Sequence, residues 1–301
     1  MRARVVPVLY SYFDAAGAID LEAHAMQIAW VQQGGVAGIT LFGLASEGGA
    51  LSSAERRSIL AYTSSILPSG DALLVTVRPD DIVEELVRCA LEFRDRLDLI
   101  FQIGQDAARS IAQFRALVAE PALAKHVYLG LQLAPGLIDT TFTADAIKGI
   151  EGLSERLQFL KAEYNSIELA AHLSTLDRPI DLLVGRHGQN LIEYLRIGAV
   201  GVIPGTEMAP ALRPILEAWA AGRKDDATQA YGRIAAYVDF AMQDLDTVVV
   251  VGRAVPARAL GFKPGPRRMP SGRDPKTMSA AIEAWWPHWQ AINDPLPPPA
   301  W

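Results

Sequence analysis

An α/β fold, a (β/α)8 TIM barrel followed by a C-terminal helical extension, is what this sequence predicts, and three observations predict it. Short apolar, β-branched runs recur eight times, they are continuous more than alternating, and their starts lie about one strand-loop-helix unit apart. Eight such units within roughly 220 residues suit a closed barrel better than the runner-up, an open doubly wound sheet. The Gly-x-Gly-x-x-Gly fingerprint of a dinucleotide fold is also missing after the first run.

The runs are VVPVLY at 5–10, GITLFG at 38–43, ALLVTV at 72–77 and DLIFQIG at 98–104, then VYLGLQL at 127–133, LQFLKAE at 157–163, IDLLVGR at 180–186 and VGVIPG at 200–205. Between them the period changes to that of helices. Ser52 and Glu55 have the spacing of a capping box ahead of SAERRSILAYTSSIL. A second helix is expected over 81–93, opened by the Pro79-Asp80-Asp81 turn, with Ile82, Leu86, Cys89 and Phe93 on one stripe and Cys89 as a small core residue. From about 208 onward the pattern is helical at 209–222, 225–245, 248–262 and 276–289. These segments divide the chain into a barrel at 1–222 and a helical domain at 223–301, with a Pro-rich tail expected to lie along the surface or fray.

Composition narrows the functions open to such a barrel. The 301 residues are 50% hydrophobic and 21% charged, so a sizeable core is available and disorder is not expected. With 28 Lys+Arg against 34 Asp+Glu, the net charge is -6 and the pI near 5.4, which lacks the basic excess of a nucleic-acid binder. The single cysteine excludes an internal disulfide framework and any multi-cysteine metal site, and fits a reducing compartment. No histidine pair has a metal-ligand spacing tied to carboxylates, so no metal is expected. The first residues lack a signal-peptide pattern, and no apolar run approaches the roughly 18 residues of a membrane span. A cytoplasmic protein without membrane or nucleic-acid partners is the expectation.

In a barrel the active site forms where the strands end, so the last residues of each run and the loops after them are the candidates. Lys161 is the unusual member, because an ammonium on a largely apolar strand is either paired or deprotonated. Desolvation lowers a lysine pKa and frees the amine to attack a carbonyl carbon. The alternative is that Lys161 turns outward or pairs with Glu163 as a structural cation. The segment at 43–49 places Gly43, Ala45 and Ser46 after the second run, where small residues let backbone N–H groups approach an anion and Ser46 adds a hydroxyl. A tight turn without a ligand is the competing reading there. Arg78, Arg186 and His187 fall at the same end and suit the anionic far end of a substrate, and His187 is also a candidate base.

These segments together resemble the dihydrodipicolinate synthase and N-acetylneuraminate lyase family of Schiff-base aldolases. Gly43-Leu44-Ala45-Ser46-Glu47, with Leu51, Ser52 and Glu55, is similar to the family's Gly-Thr-Thr-Gly-Glu…Leu-Ser-x-x-Glu segment, which binds a 2-oxo acid carboxylate. The run ending in Lys161 resembles the strand whose lysine forms the imine, and 185–210 resembles the stretch joining the seventh strand to the eighth, including Gly185 and Ile203. The resemblance implies a lyase or aldolase that needs no cofactor, acts on a pyruvate-type or sugar-acid substrate, and assembles as a homo-oligomer, a dimer or tetramer. Its substrate-binding residues would be Gly43, Ala45, Ser46, Arg78, Gly185, Arg186, His187 and Ile203, with Lys161 and Gln132 catalytic.

The departures are specific. The family's Tyr-Asn-x-Pro aligns with Gln132-Leu133-Ala134-Pro135, and Gln132 orients a substrate but cannot ionise. The paired threonines are Leu44 and Ala45, and an arginine some members carry aligns with Leu137. Tyr12 and Tyr164 are candidate substitutes, whereas Tyr128 sits at the opposite end of its strand and reads as core. Standard dihydrodipicolinate synthase activity is therefore not expected. A second function class stays open, a barrel that has lost turnover and binds a metabolite as sensor or structural subunit. A proton carrier within reach of the Lys161 amine distinguishes the two.

Overall fold

The computed structural model describes residues 4–78, 80–102, 107–134, 157–163, 165–174 and 179–293. Tyr164, Pro135, Leu137 and the Pro-rich tail lie outside them. The strands are β1 (Arg4–Val5), β2 (Gly38–Leu41), β3 (Ala72–Val77), β4 (Leu97–Gln102), β5 (Val127–Leu133), β6 (Leu157–Ala162), β7 (Asp181–Val184) and β8 (Gly201–Val202). All pair in parallel, in the order β1-β8-β7-β6-β5-β4-β3-β2. The ring closes between β1 and β2 through the amides of Ala37, Thr40 and Leu9, which donate to Val5, Pro7 and Thr40 carbonyls at 3.0, 2.7 and 2.9 Å. The expected (β/α)8 barrel is the observed fold.

The first and last runs form shorter regular strands than the sequence pattern predicts, and proline is the reason. Pro7 and Pro204 have no N–H to give, so regular pairing stops at Val5 and Val202 and resumes as the single bonds from Val6 to Val202 and Val8 to Pro204. Inside the ring, Val6, Val8, Leu74, Ile100, Phe159, Leu183 and Ile203 form a separate buried cluster. Gly130 makes room for it, since a Cβ there would collide with the Phe159 ring. Two residues on from Phe159, Lys161 therefore faces the interior at its upper rim.

Helices α1 (Leu21–Gln33), α2 (Ser53–Ile66), α3 (Val83–Leu91), α4 (Ala107–Val118), α5 (Pro121–Ala124), α6 (Ser166–Leu173) and α7 (Leu191–Arg196) link the strands. Helix α2 begins at the expected capping box, with Glu55 N–H donating to Ser52 Oγ at 3.3 Å and Ser52 N–H to Glu55 Oε2 at 2.9 Å. Helix α3 corrects the expected stripe. Its buried residues are Val83, Leu86, Val87 and Ala90, while Ile82 and Phe93 are 59% and 49% exposed and Cys89 is only partly covered. Both stripes satisfy a helical period, and the one richer in β-branched and small residues fits against α2 and β4.

After β8 follow α8 (Ala209–Ala220), α9 (Lys224–Ala241), α10 (Leu245–Leu260) and α11 (Pro275–Asn293). Helix α10 returns to the rim of the barrel, where Gly252 lets its backbone approach the Tyr10 ring. Arg253 on the same helix pairs with Glu47 at 3.4 Å, both side chains buried, and donates from Nε to the Ser11 carbonyl at 3.1 Å. Trp289 of α11 donates to the Glu207 carbonyl at 3.1 Å. The helical extension is thus fastened to the loops that follow β1, β2 and β8. Among the described residues no helix is long and apolar enough to cross a membrane.

A buried histidine under α1 gives the fold a pH dependence. His24 bonds Thr63 Oγ1 through Nε2 at 2.8 Å, and burial lowers its imidazole from 6.5 to about 4. The native state thus refuses a proton that the unfolded chain takes up below pH 6.5. Stability is full above that pH and falls as pH drops toward 4, by about 2 kcal/mol at pH 5 relative to pH 7. Urea titrations at the two pH values measure it, and His24→Gln is expected to flatten the difference.

Candidate active site

Lys161 and Glu163 lie two residues apart on and just beyond β6, which puts both side chains on the same face of the chain. Lys161 is 4% exposed, and its Nζ lies 3.0 Å from Glu163 Oε1, a carboxylate that is itself nearly covered. Glu163 reaches this position because the next strand ends in Gly185. A Cβ at Gly185 would collide with Cγ, Cδ and Oε1 of Glu163. The carboxylate is a group that can take and return a proton.

The pair opens into a cavity of about 280 Å³ at the carboxyl ends of the strands. Val8, Leu44, Ile203, Pro204 and Val248 form its apolar wall. Arg186 and His187 enter from the turn after β7, and Gln243 and Asp244 from the segment ahead of α10. Asp244 also caps α10, accepting from the Thr247 amide at 2.7 Å, and pairs with Arg273. Arg186 and His187 both adopt left-handed backbone, at φ 48° and 54°, followed by Gly188 at 77°. Each such non-glycine residue costs roughly 1–2 kcal/mol, so the rest of the fold holds a strained turn that presents two cationic or ionisable side chains to the cavity.

Behind this turn lies a buried chain of polar groups. His187 Nε2 is 2.7 Å from Glu207 Oε1, and the Tyr10 hydroxyl donates to Glu207 Oε2 at 2.9 Å. Tyr10 and Glu207 are fully buried and His187 is 4% exposed. Burial and the Glu207 carboxylate hold the Tyr10 phenol well above its ordinary pKa, so Tyr10 serves as a donor. All three crowd Gly205, where a Cβ would collide with the Tyr10 hydroxyl, Glu207 Oε2 and His187 Nε2.

The structure brings Ala45, Lys161, Arg186, His187 and Ile203 together around the cavity. Gly43 and Gly185 support it as close-approach positions, Gly43 against Val8 and Gly185 against Glu163. Ser46 does not face it. Its amide and hydroxyl both donate to the Gly43 carbonyl, at 3.0 and 2.7 Å, because the loop turns there as a short 3-10 helix. Arg78 is also turned away, held by Asp80 and Asp81 and donating to the Gly49 carbonyl at 2.9 Å, so it braces the loop after β2. Gln132 pairs in register with Lys161 on one side and Gln102 on the other, accepts from Gln102 Nε2 at 2.9 Å, and is completely buried. Tyr12 donates to the Arg253 carbonyl at 2.8 Å and packs on Phe262, and Tyr128 lies under the Arg96 guanidinium, half-buried. Among the described residues no group of three His, Cys, Asp or Glu is placed to hold a metal ion.

No protein-family model and no curated protein matches the sequence. Solved structures do. A dihydrodipicolinate synthase from Rhodopseudomonas palustris superposes with a TM-score of 0.80 at 18% identity, covering 95% of this chain and 97% of its own. A putative dihydrodipicolinate synthetase from Pseudomonas aeruginosa gives 0.79 at 18%, covering 96% and 100%. YagE, a prophage protein of the dihydrodipicolinic acid synthase family from E. coli K12 solved with pyruvate, gives 0.79 at 16%, covering 95% and 98%. The chain has the fold of the dihydrodipicolinate synthases. The likeness spans both the barrel and the helices after it, at identities that mark a divergent chain within that fold.

Glu163 is legible in the sequence through strand parity with Lys161. Two residues beside the cavity, Tyr10 and Glu207, escaped the sequence reading. Tyr10 lies one residue before the expected loop, since the proline at 7 obscures where the first strand ends. Glu207 had one signal, a carboxylate amid the small and apolar residues 203–209.

Proposed function

We propose that the chain is a Schiff-base-forming lyase or aldolase that joins Lys161 to the carbonyl carbon of a 2-oxo acid. The observation that carries this reading is the Glu163 carboxylate 3.0 Å from the Lys161 amine inside a cavity at the strand ends. Glu163 takes the ammonium proton, freeing the nitrogen lone pair to attack C2. It carries two protons in turn from the nitrogen to the C2 oxygen, which departs as water and leaves a protonated imine. That imine accepts the electron pair released when a bond at C3 breaks. Gly43 and Ala45 leave room for the substrate carboxylate, and Arg186 suits an anionic or hydroxylated far end.

The reading of the chain as a binding protein without turnover rested on the missing tyrosine, and Glu163 fills that gap. The neighbour solved with pyruvate supports a pyruvate-type substrate. The test is intact mass after borohydride reduction in the presence of pyruvate and longer 2-oxo acids. A reduced adduct supports the imine, and the acid that traps fastest identifies the substrate class, whereas no adduct with any acid refutes the proposal.

Gly185→Ala probes the geometry while leaving Lys161 and Glu163 chemically unchanged. Its backbone at φ -86° accommodates alanine, so the new methyl acts by pushing the Glu163 side chain off Lys161. Trapping with pyruvate is expected to slow by at least about tenfold, a loss within the range that general acid-base groups supply. The thermal midpoint should move by only a few degrees, as measured by calorimetry.

A further inference from the structure

The imine reading leaves His187 and the groups behind it without a task, and their arrangement is that of an activated base. Glu207 is an acceptor while ionised, so the proton of the 2.7 Å contact sits on Nε2 of His187. Nδ1 then carries the lone pair, and it has no hydrogen-bond partner among the described residues. An imidazole held through one nitrogen by a buried carboxylate, on a residue that lines the cavity, is the base-and-orienter pair of nucleophilic and general-base catalysis. The Tyr10 hydroxyl fixes the far side of Glu207. These groups come from the ends of β7, β8 and β1, the strands that follow β6 around the ring, so the imidazole stands next to the Lys161–Glu163 pair.

We propose that His187 is the base that moves the proton on C3, the carbon next to the imine, with Glu207 and Tyr10 as its positioning residues. The inference rests on the imine at Lys161. His187 Nδ1 takes the C3 proton, the C–H electron pair becomes the C2–C3 double bond, and the imine π pair moves onto the lysine nitrogen. The product is a neutral enamine and an imidazolium stabilised by Glu207. The reverse step returns a proton to C3. Work is thereby divided between two groups, Glu163 at the nitrogen and the C2 oxygen, His187 at carbon. The charged and titratable groups that face His187 are Glu207, Tyr10 and Tyr237 behind it, the adjacent Arg186, and Lys161, Glu163 and Asp244 around the cavity.

Pyruvate itself is the probe, because its methyl group is C3. The enzyme in D₂O with pyruvate is followed by proton NMR for loss of the methyl signal, and borohydride trapping is run in parallel. Wild type is expected to trap and to exchange. In His187→Gln and Glu207→Gln exchange is expected to fall at least about a hundredfold further than trapping does. Should one variant fail to fold, the other carries the comparison. Absence of adduct in wild type overturns the imine and this inference with it. An adduct without exchange, unchanged exchange in the His187 variant, or equal loss of trapping and exchange, overturns the inference alone.

Discussion

Lys161→Met abolishes the reduced pyruvate adduct and lowers turnover to the background rate, a loss expected to be at least about 10⁴-fold because the covalent intermediate itself disappears. Methionine fills much of the same volume along the strand, so the barrel interior at Phe159 and Leu183 stays packed. Glu163 loses the cation that faces it at 3.0 Å. A nearly covered carboxylate left without a partner is costly, so the variant is destabilised relative to wild type. Denaturant unfolding at pH 7 reads this, and pairing the change with Glu163→Gln should remove most of the difference.

Glu163→Gln has the second largest expected effect. The amide keeps the shape and a hydrogen bond to Lys161, but it neither accepts the ammonium proton nor returns one to the departing oxygen. Imine formation with pyruvate is expected to slow by about 10²- to 10⁴-fold, the span over which positioned acid-base groups act. The nucleophile remains, so the adduct should still accumulate on long incubation. Its rate is the quantity to follow, by quenching with borohydride at timed intervals and weighing the protein. A variant that traps as fast as wild type would leave Glu163 a structural counter-ion.

Much of the site follows from local rules legible in the sequence. Strand parity places Lys161 and Glu163 on one face, and the observed β6 keeps the expected run. The α2 cap follows from Ser52 and Glu55 alone. What local rules do not contain is closure. Tyr10, His187 and Glu207 meet because the barrel seals β1 against β8, which brings together residues 197 positions apart. The expected anion role of Ser46 depended on which way a hydroxyl turns, and a carbonyl three residues earlier captures it. Arg78 is claimed by the acidic residues of its own turn, a short-range competition that charge at a strand end does not reveal. In α3, two stripes of equal period compete, and only the packing partners separate them.

The most direct measurement is peptide mapping by tandem mass spectrometry of the protein reduced with borohydride in the presence of pyruvate. The account predicts a single modified side chain, Lys161, with Lys125, Lys148, Lys224, Lys263 and Lys276 unmodified. Modification spread over these other lysines, or its absence from Lys161, would contradict it.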